Sequence, residues 1–281
     1  MGAGVSWSTA YRESHAHNRS LPGGLAPFGT VGSAGGWLLG GGHSALSRYF
    51  GYGTLSKSVA VVYTDIYYLF FLVLGVDNAL QFKVVLPDAS FVTANKYKNP
   101  DLFWALRGGG GPSFGIVVES VVKTHPDPAY TALFFVAQAA TTDAYTNLLE
   151  VWNRYHNGLN DAGWGGVWPF TDNVLALTLL NQGTPPFNPN GKTLMDQFLA
   201  DANAVSGVTV ITQEYVNYTS FQDWNIDILV NGRHGFDFTQ RAPGAPNSVT
   251  SSWLLPRNVT APATARSMAE IYANLTGGTG L

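Results

Sequence analysis

Apolar positions recur with two periods along this chain, and each period marks an element. Trp7, Ala10, Tyr11 and Ser14 stand at helical spacing and predict a short helix over residues 6–17. Residues 79–86 (ALQFKVVL) read as a strand, which Pro87-Asp88-Ala89 turns into a second strand over 90–94. Asn99-Pro100-Asp101 is a helix start, with Asn99 as N-cap and Pro100 at the first helical position; the helix continues through 102–106 until the glycines at 108–111 end it. Residues 116–124 read as another strand. The prolines of His125-Pro126-Asp127-Pro128 break either pattern and mark a domain boundary. Beyond it, buried strands are predicted at 132–137, 174–180 and 208–212, and helices at 142–155, 192–204, 220–230 and 262–275. Strands interspersed with helices predict an α+β fold, an antiparallel sheet with helices on one face.

One block disagrees with its surroundings. Residues 54–75 (TLSKSVAVVYTDIYYLFFLVLG) end in an apolar run over 66–74 that is too short to span a bilayer, and Asp65 interrupts any longer span. The plain reading is a buried strand or hairpin.

Composition narrows the chemistry. With 281 residues, 46% of them hydrophobic and only 12% charged, the chain is globular with ample length for a core. A net charge of −3 leaves no basic footprint for nucleic acid. Cysteine is absent, which excludes disulfides, thiolate catalysis and Cys-ligated metals. Asn18-Arg19-Ser20, Asn217-Tyr218-Thr219, Asn258-Val259-Thr260 and Asn274-Leu275-Thr276 are glycosylation triplets and predict a secreted glycoprotein, although the first residues carry no leader pattern.

The densest chemical signal is residues 29–44, GTVGSAGGWLLGGGHS, with seven glycines among sixteen residues. Gly35-Gly36 and Gly40-Gly41-Gly42 bracket the apolar Trp37-Leu38-Leu39. Such runs persist where backbone takes positive φ or lies against something flat, and consecutive bare amides form an anion-binding concavity. The alternative is a glycine-rich surface loop with no ligand. His43 follows the second cluster and either faces a bound ring or is structural. Gly111-Pro112-Ser113-Phe114-Gly115 matches G-x-S-x-G, but a helix precedes it and a strand follows, the reverse of a nucleophile elbow. Gly2-Ala3-Gly4 opens like a dinucleotide fingerprint, yet Trp7 holds the third glycine position and no strand precedes it. His15-Ala16-His17 sits at a helix end, where histidine meets the last carbonyls, and no metal site is read.

Gly2-Ala3-Gly4-Val5, His15-Ala16-His17-Asn18-Arg19, Thr30-Val31-Gly32-Ser33-Ala34-Gly35-Gly36-Trp37, Gly40-Gly41-Gly42-His43-Ser44, Val76-Asp77-Asn78, the tract over 99–111 and Phe114-Gly115-Ile116-Val117 form an ordered set. In order and spacing it resembles the FAD-linked oxidases of the berberine-bridge-enzyme-like group, in the vanillyl-alcohol-oxidase superfamily with its PCMH-type FAD-binding domain. The resemblance implies a partial FAD-binding domain over 1–126, its second subdomain, and, more loosely through Gln213-Glu214-Tyr215 and Phe221, a partial substrate domain over 129–281. It implies that Thr30, Val31, Gly32, Ser33, Gly35, Gly36, Trp37, Gly40, Gly41, Gly42, His43 and Ser44 line FAD, with Gly115 and Ile116 offering backbone.

The implied reaction is hydride removal from a small alcohol, sugar or alkaloid-like substrate, with oxygen as acceptor and neither nucleic acid nor membrane as partner. Family members carry a further upstream stretch with the histidine that anchors FAD, and a downstream segment that supplies a catalytic base. The chain opens after the one and ends before the other, so the expectation is impaired catalysis, no nameable catalytic residue, and an exposed Trp37-Leu38-Leu39 patch. A non-enzymatic remnant or carbohydrate-binding domain is the alternative. Deleting 54–75 joins Tyr52-Gly53 to Val76-Asp77-Asn78, the family's uninterrupted motif, so these residues read as a retained intron, against the alternative of a long apolar loop.

Overall fold

A computed structural model describes residues 1–25, 31–50, 57–63, 66–72, 74–111, 113–183, 189–235 and 251–276. The first helix, α1 (Trp7–Ala16), starts where Ser6 accepts the Thr9 amide, and it buries Trp7, Ala10 and Tyr11. After it come β1 (Arg19–Ser20), the single turn α2 (Gly36–Leu39), β2 (Lys57–Tyr63) and β3 (Ile66–Leu72). A 3-10 turn over Gly75–Asn78 leads into β4 (Ala79–Val85), followed by β5 (Phe91–Asn95), α3 (Pro100–Ala105) and β6 (Ile116–Val122). Strands β5, β4 and β6 form a three-stranded antiparallel sheet in that order. Its buried face packs Phe82, Val84, Ala94 and Val117 against Phe103 and Leu106 and against Leu38 and Leu39 of α2.

The proline-rich stretch read as a break is itself paired. Here β7 (His125–Pro126) lies antiparallel to β1, because an edge strand of two residues needs few amide donors. Residues on both sides of it share one core. Trp7, Tyr11, Leu21 and Leu46 pack with Tyr130, Phe134, Tyr218, Phe221 and Trp224.

The remaining elements are β8 (Tyr130–Ala139), α4 (Thr142–Asp161), β9 (Gly165–Thr171), β10 (Val174–Gln182), α5 (Pro189–Asn203), β11 (Val208–Tyr218), α6 (Phe221–Asn225) with a π turn to Val230, β12 (Ser251–Leu255) and α7 (Ala265–Thr276). They build a seven-stranded antiparallel sheet in the order β11-β8-β10-β9-β3-β2-β12. Helices α4, α5 and α7 cover one face through Leu148, Trp152, Phe198 and Tyr272. The α+β class and most elements match the sequence reading, and β9 and β12 were missed. As the sequence reading allowed, the segment pairs as a hairpin: β2 and β3 are antiparallel neighbours within the large sheet, between β9 and β12. Among the described residues no helix is long and apolar enough to cross a membrane.

Candidate functional site

The glycine motifs come from three places in the chain and meet at one ring. Trp37 is half-buried, its Nε1 donates to the His43 carbonyl at 3.2 Å, and its edge packs on Trp7 at 4.6 Å between centroids. Around that ring the chain is bare. A Cβ built on Gly75 would lie 2.2 Å from the Trp37 ring, one on Gly42 2.8 Å, and one on Gly24 3.1 Å. No side chain fits at Gly42 or Gly75, and Gly42 also has a φ of 70°. Backbone bonds lock the arrangement: the Gly75 amide donates to Gly42 O, Val76 to Gly41 O, and Gly110 to Leu39 O.

This corrects three expectations. The amides of Gly40 and Gly41 cap α2 by donating to Gly36 and Leu38, so Gly40-Gly41-Gly42 does not present a concavity of bare donors. Leu38 and Leu39 are 0% and 3% exposed, so the tripeptide is core, not an open patch. Ser44 is structural, its Oγ accepting from the Gly23 and Leu46 amides at 3.2 Å each. His43 is partly buried, and loss of solvent lowers its pKa to about 4, which keeps the imidazole neutral at pH 7. His15 faces Asp127 at 3.5 Å instead of the helix carbonyls.

The earlier half of the motif is different. Val31 O accepts the Trp7 amide, Val5 O accepts the Ser33 amide, and Gly32 bridges Ser6, so 31–33 runs alongside the start of α1. A Cβ on Gly35 or Gly36 would meet nothing within 4 Å, and the same holds for Gly2, Gly4 and Gly111. Ser33 Oγ and Trp7 Nε1 are buried and have no hydrogen-bond partner among the described residues. The open backbone at Gly35 and Gly36 leaves room for a flat group such as FAD. Gly32, Ser33, Gly35 and Gly36 are the residues able to hold it. Thr30 lies outside the described residues. Gly115 has a φ of 144° and no room for a Cβ, which would lie 2.7 Å from Val84, so its bareness is explained by packing; the neighbouring Ile116 is 65% exposed.

A second cluster was only half legible. Glu214 and Tyr218 stand four apart on β11 and share a face. Asp227, from the π turn, and His234, beyond it, carry no local signal. In the structure the Tyr218 hydroxyl donates to Asp227 Oδ2 at 2.7 Å, and His234 Nε2 lies 2.9 Å from that oxygen. His234 Nδ1 lies 2.6 Å from Glu214 Oε1, its ring is stacked on Phe134, and Arg233 pairs with Asp227 at 3.1 Å. Burial opposes the Asp227 charge, but Tyr218, His234 and Arg233 outweigh it and hold the carboxyl below its usual range. Burial and the Asp227 charge push the Tyr218 hydroxyl well above its usual range, so the array holds a protonated phenol against a carboxylate.

The chain matches no protein-family model. It is 33% identical over 228 residues to the FAD-linked oxidoreductase ffsJ of Aspergillus flavipes, an alignment covering 79% of this chain and 32% of that protein. It is 30% identical over 283 residues to the VAO-type flavoprotein oxidase VAO615 of Thermothelomyces thermophilus, covering 98% of this chain and 42% of that protein. The crystal structure of the VAO-type flavoprotein MtVAO615 from Myceliophthora thermophila superposes with a TM-score of 0.71 at 22% identity, over 98% of this chain and 44% of the other, which shows a shared fold. The chain therefore spans less than half the length of these proteins. Its homologues are FAD-linked oxidoreductases of the vanillyl-alcohol-oxidase superfamily, and the chain is a partial-length match to them.

Proposed function

We propose that this chain carries part of the cofactor cradle of an FAD-dependent oxidase, with residues 1–126 as a partial FAD-binding domain and 129–281 as a partial substrate domain. The single observation that carries the reading is the open backbone at Gly35 and Gly36, where a built Cβ meets nothing within 4 Å. The chemistry the cofactor supplies when bound is hydride acceptance from a C–H bond next to a hydroxyl or amine, with oxygen as the final electron acceptor. The chain's own contribution is positional: Gly35 and Gly36 let a ring or phosphate approach the backbone. The substrate is a small alcohol, sugar or alkaloid-like molecule.

Four exposed sequon asparagines, Asn18, Asn217, Asn258 and Asn274, support secretion as a glycoprotein. Purified protein showing an oxidised-flavin absorbance band, or acquiring one with added FAD, supports the oxidase reading. A folded, colourless protein that ignores FAD but binds oligosaccharide supports the competing carbohydrate-binding domain.

A further inference from the structure

We propose that residues 54–75 are an unspliced intron translated in frame, wedged as a hairpin into a sheet that is complete without it. The proposal stands independently of the cofactor reading. Three observations carry it.

The first is where the segment's flanks lie. Phe50, before it, stacks on the His125 ring with centroids 4.2 Å apart. Asn78, after it, holds His125 Nε2 at 2.8 Å through Oδ1. One imidazole thus grips both flanks. Gly51, Tyr52, Gly53, Val76 and Asp77 suffice to join them once the 22 residues are gone.

The second is topological. The segment supplies β2 and β3, and both neighbours pair with it antiparallel: β3 with β9, and β2 with β12. An inserted pair of antiparallel strands leaves the alternation of direction unchanged. Without the pair, β9 and β12 run antiparallel to each other and close into a five-stranded sheet, β11-β8-β10-β9-β12. Phe170, Tyr67, Val62 and Ser251 share one register row, so Phe170 and Ser251 become direct neighbours.

The third is the junction. Gly75 must be glycine, because a Cβ there would lie 2.2 Å from Trp37. The genetic code allows Gly53-Thr54-Leu55 to be written GGT ACG TTG, which would contain the donor GTACGT, and Leu74-Gly75 to be written TTA GGN, which would contain an acceptor AG in the same phase. Splicing between such sites would regenerate a glycine codon ahead of Val76. Thr64-Asp65 can be encoded as ACT GAC, a branch-like sequence, and the Tyr, Leu and Phe residues that follow permit a pyrimidine-rich tract. Both products therefore keep glycine under Trp37. They differ above Gly41, where Leu74 now packs within 3.6 Å of a built Cβ and Tyr52 takes its place after splicing.

The test has two arms. Transcripts sequenced across codon 53 are expected to include a form lacking the segment in frame; its absence under all growth conditions overturns the intron. The full chain and the chain lacking 54–75 are then compared by thermal melting and cysteine cross-linking, on a background free of native cysteine. The shortened chain is expected to melt cooperatively at an equal or higher Tm. Ser251→Cys paired with Phe170→Cys should give a disulfide only in the shortened chain. In the full chain β9 and β12 are three strand spacings apart, about 14 Å, beyond the reach of a disulfide at about 7 Å between Cα atoms. A lower Tm, loss of cooperative melting, or no disulfide in the shortened chain shows that the hairpin is integral and overturns the proposal.

Discussion

Gly42 and Gly75 hold the Trp37 ring so closely that a Cβ would lie 2.8 and 2.2 Å from it, whereas Gly35 and Gly36, next to Trp37 in sequence, face open space. The two sets share a motif and a residue type, yet the fold explains only one of them. Bareness at Gly42 and Gly75 serves an indole; a Cβ at Gly35 or Gly36 meets nothing among the described residues. Only the second kind points to a ligand. A dense glycine run therefore divides into structural and binding positions once the missing side chains are built back.

The packed region should break first. Leu38→Ala removes a fully buried side chain and should cost about 2–5 kcal/mol in urea unfolding; were the tripeptide exposed, the change would stay within about 0.5 kcal/mol. Gly75→Ala should cost about 1–3 kcal/mol by overpacking, and much of that cost should disappear in a Trp37→Ala background. A double-mutant cycle checks the coupling, and simple additivity would contradict the glycine slot.

Acid should weaken the fold at three histidines. Burial lowers His43 and His125 to about 4 and His156 to about 3, with Lys123 and Arg19 adding to His125 and Arg257 to His156. The unfolded chain, with ordinary histidines near 6.5, takes up protons first as pH falls. Stability is thus complete above about pH 6.5 and declines toward pH 4, which Tm measured against pH will show. The smallest change in stability belongs to the open region. Gly36 lies in α2 with free space around it, so Gly36→Ala should leave the fold intact or gain about 0.4–1 kcal/mol.

Periodicity made the secondary structure legible where one face is buried, as in α1 and β4, and a continuous apolar run marked β8, which is buried on both faces. It failed at β9, although its partner β10 follows directly, at β12, whose partner β2 is distant, and at His125-Pro126, where two residues pair despite the proline. In the site, sequence located the motif but not the split within it, because Trp37's demand for glycine at 24, 42 and 75 is a tertiary fact. The Asp227–His234–Glu214 array was only half legible for the same reason: Glu214 and Tyr218 share a face of one strand, while Asp227 and His234 join them only in the fold.

The most direct measurement is FAD titration of the wild-type chain and of Gly36→Ala, followed by flavin fluorescence, with Tm recorded in parallel. The wild-type chain should bind FAD. Gly36→Ala should bind at least about tenfold more weakly, a loss of about 1.4 kcal/mol, with its Tm unchanged or raised. Equal affinity for the two chains, or no FAD uptake by the wild-type chain, would contradict the assignment of Gly35 and Gly36 to the cofactor.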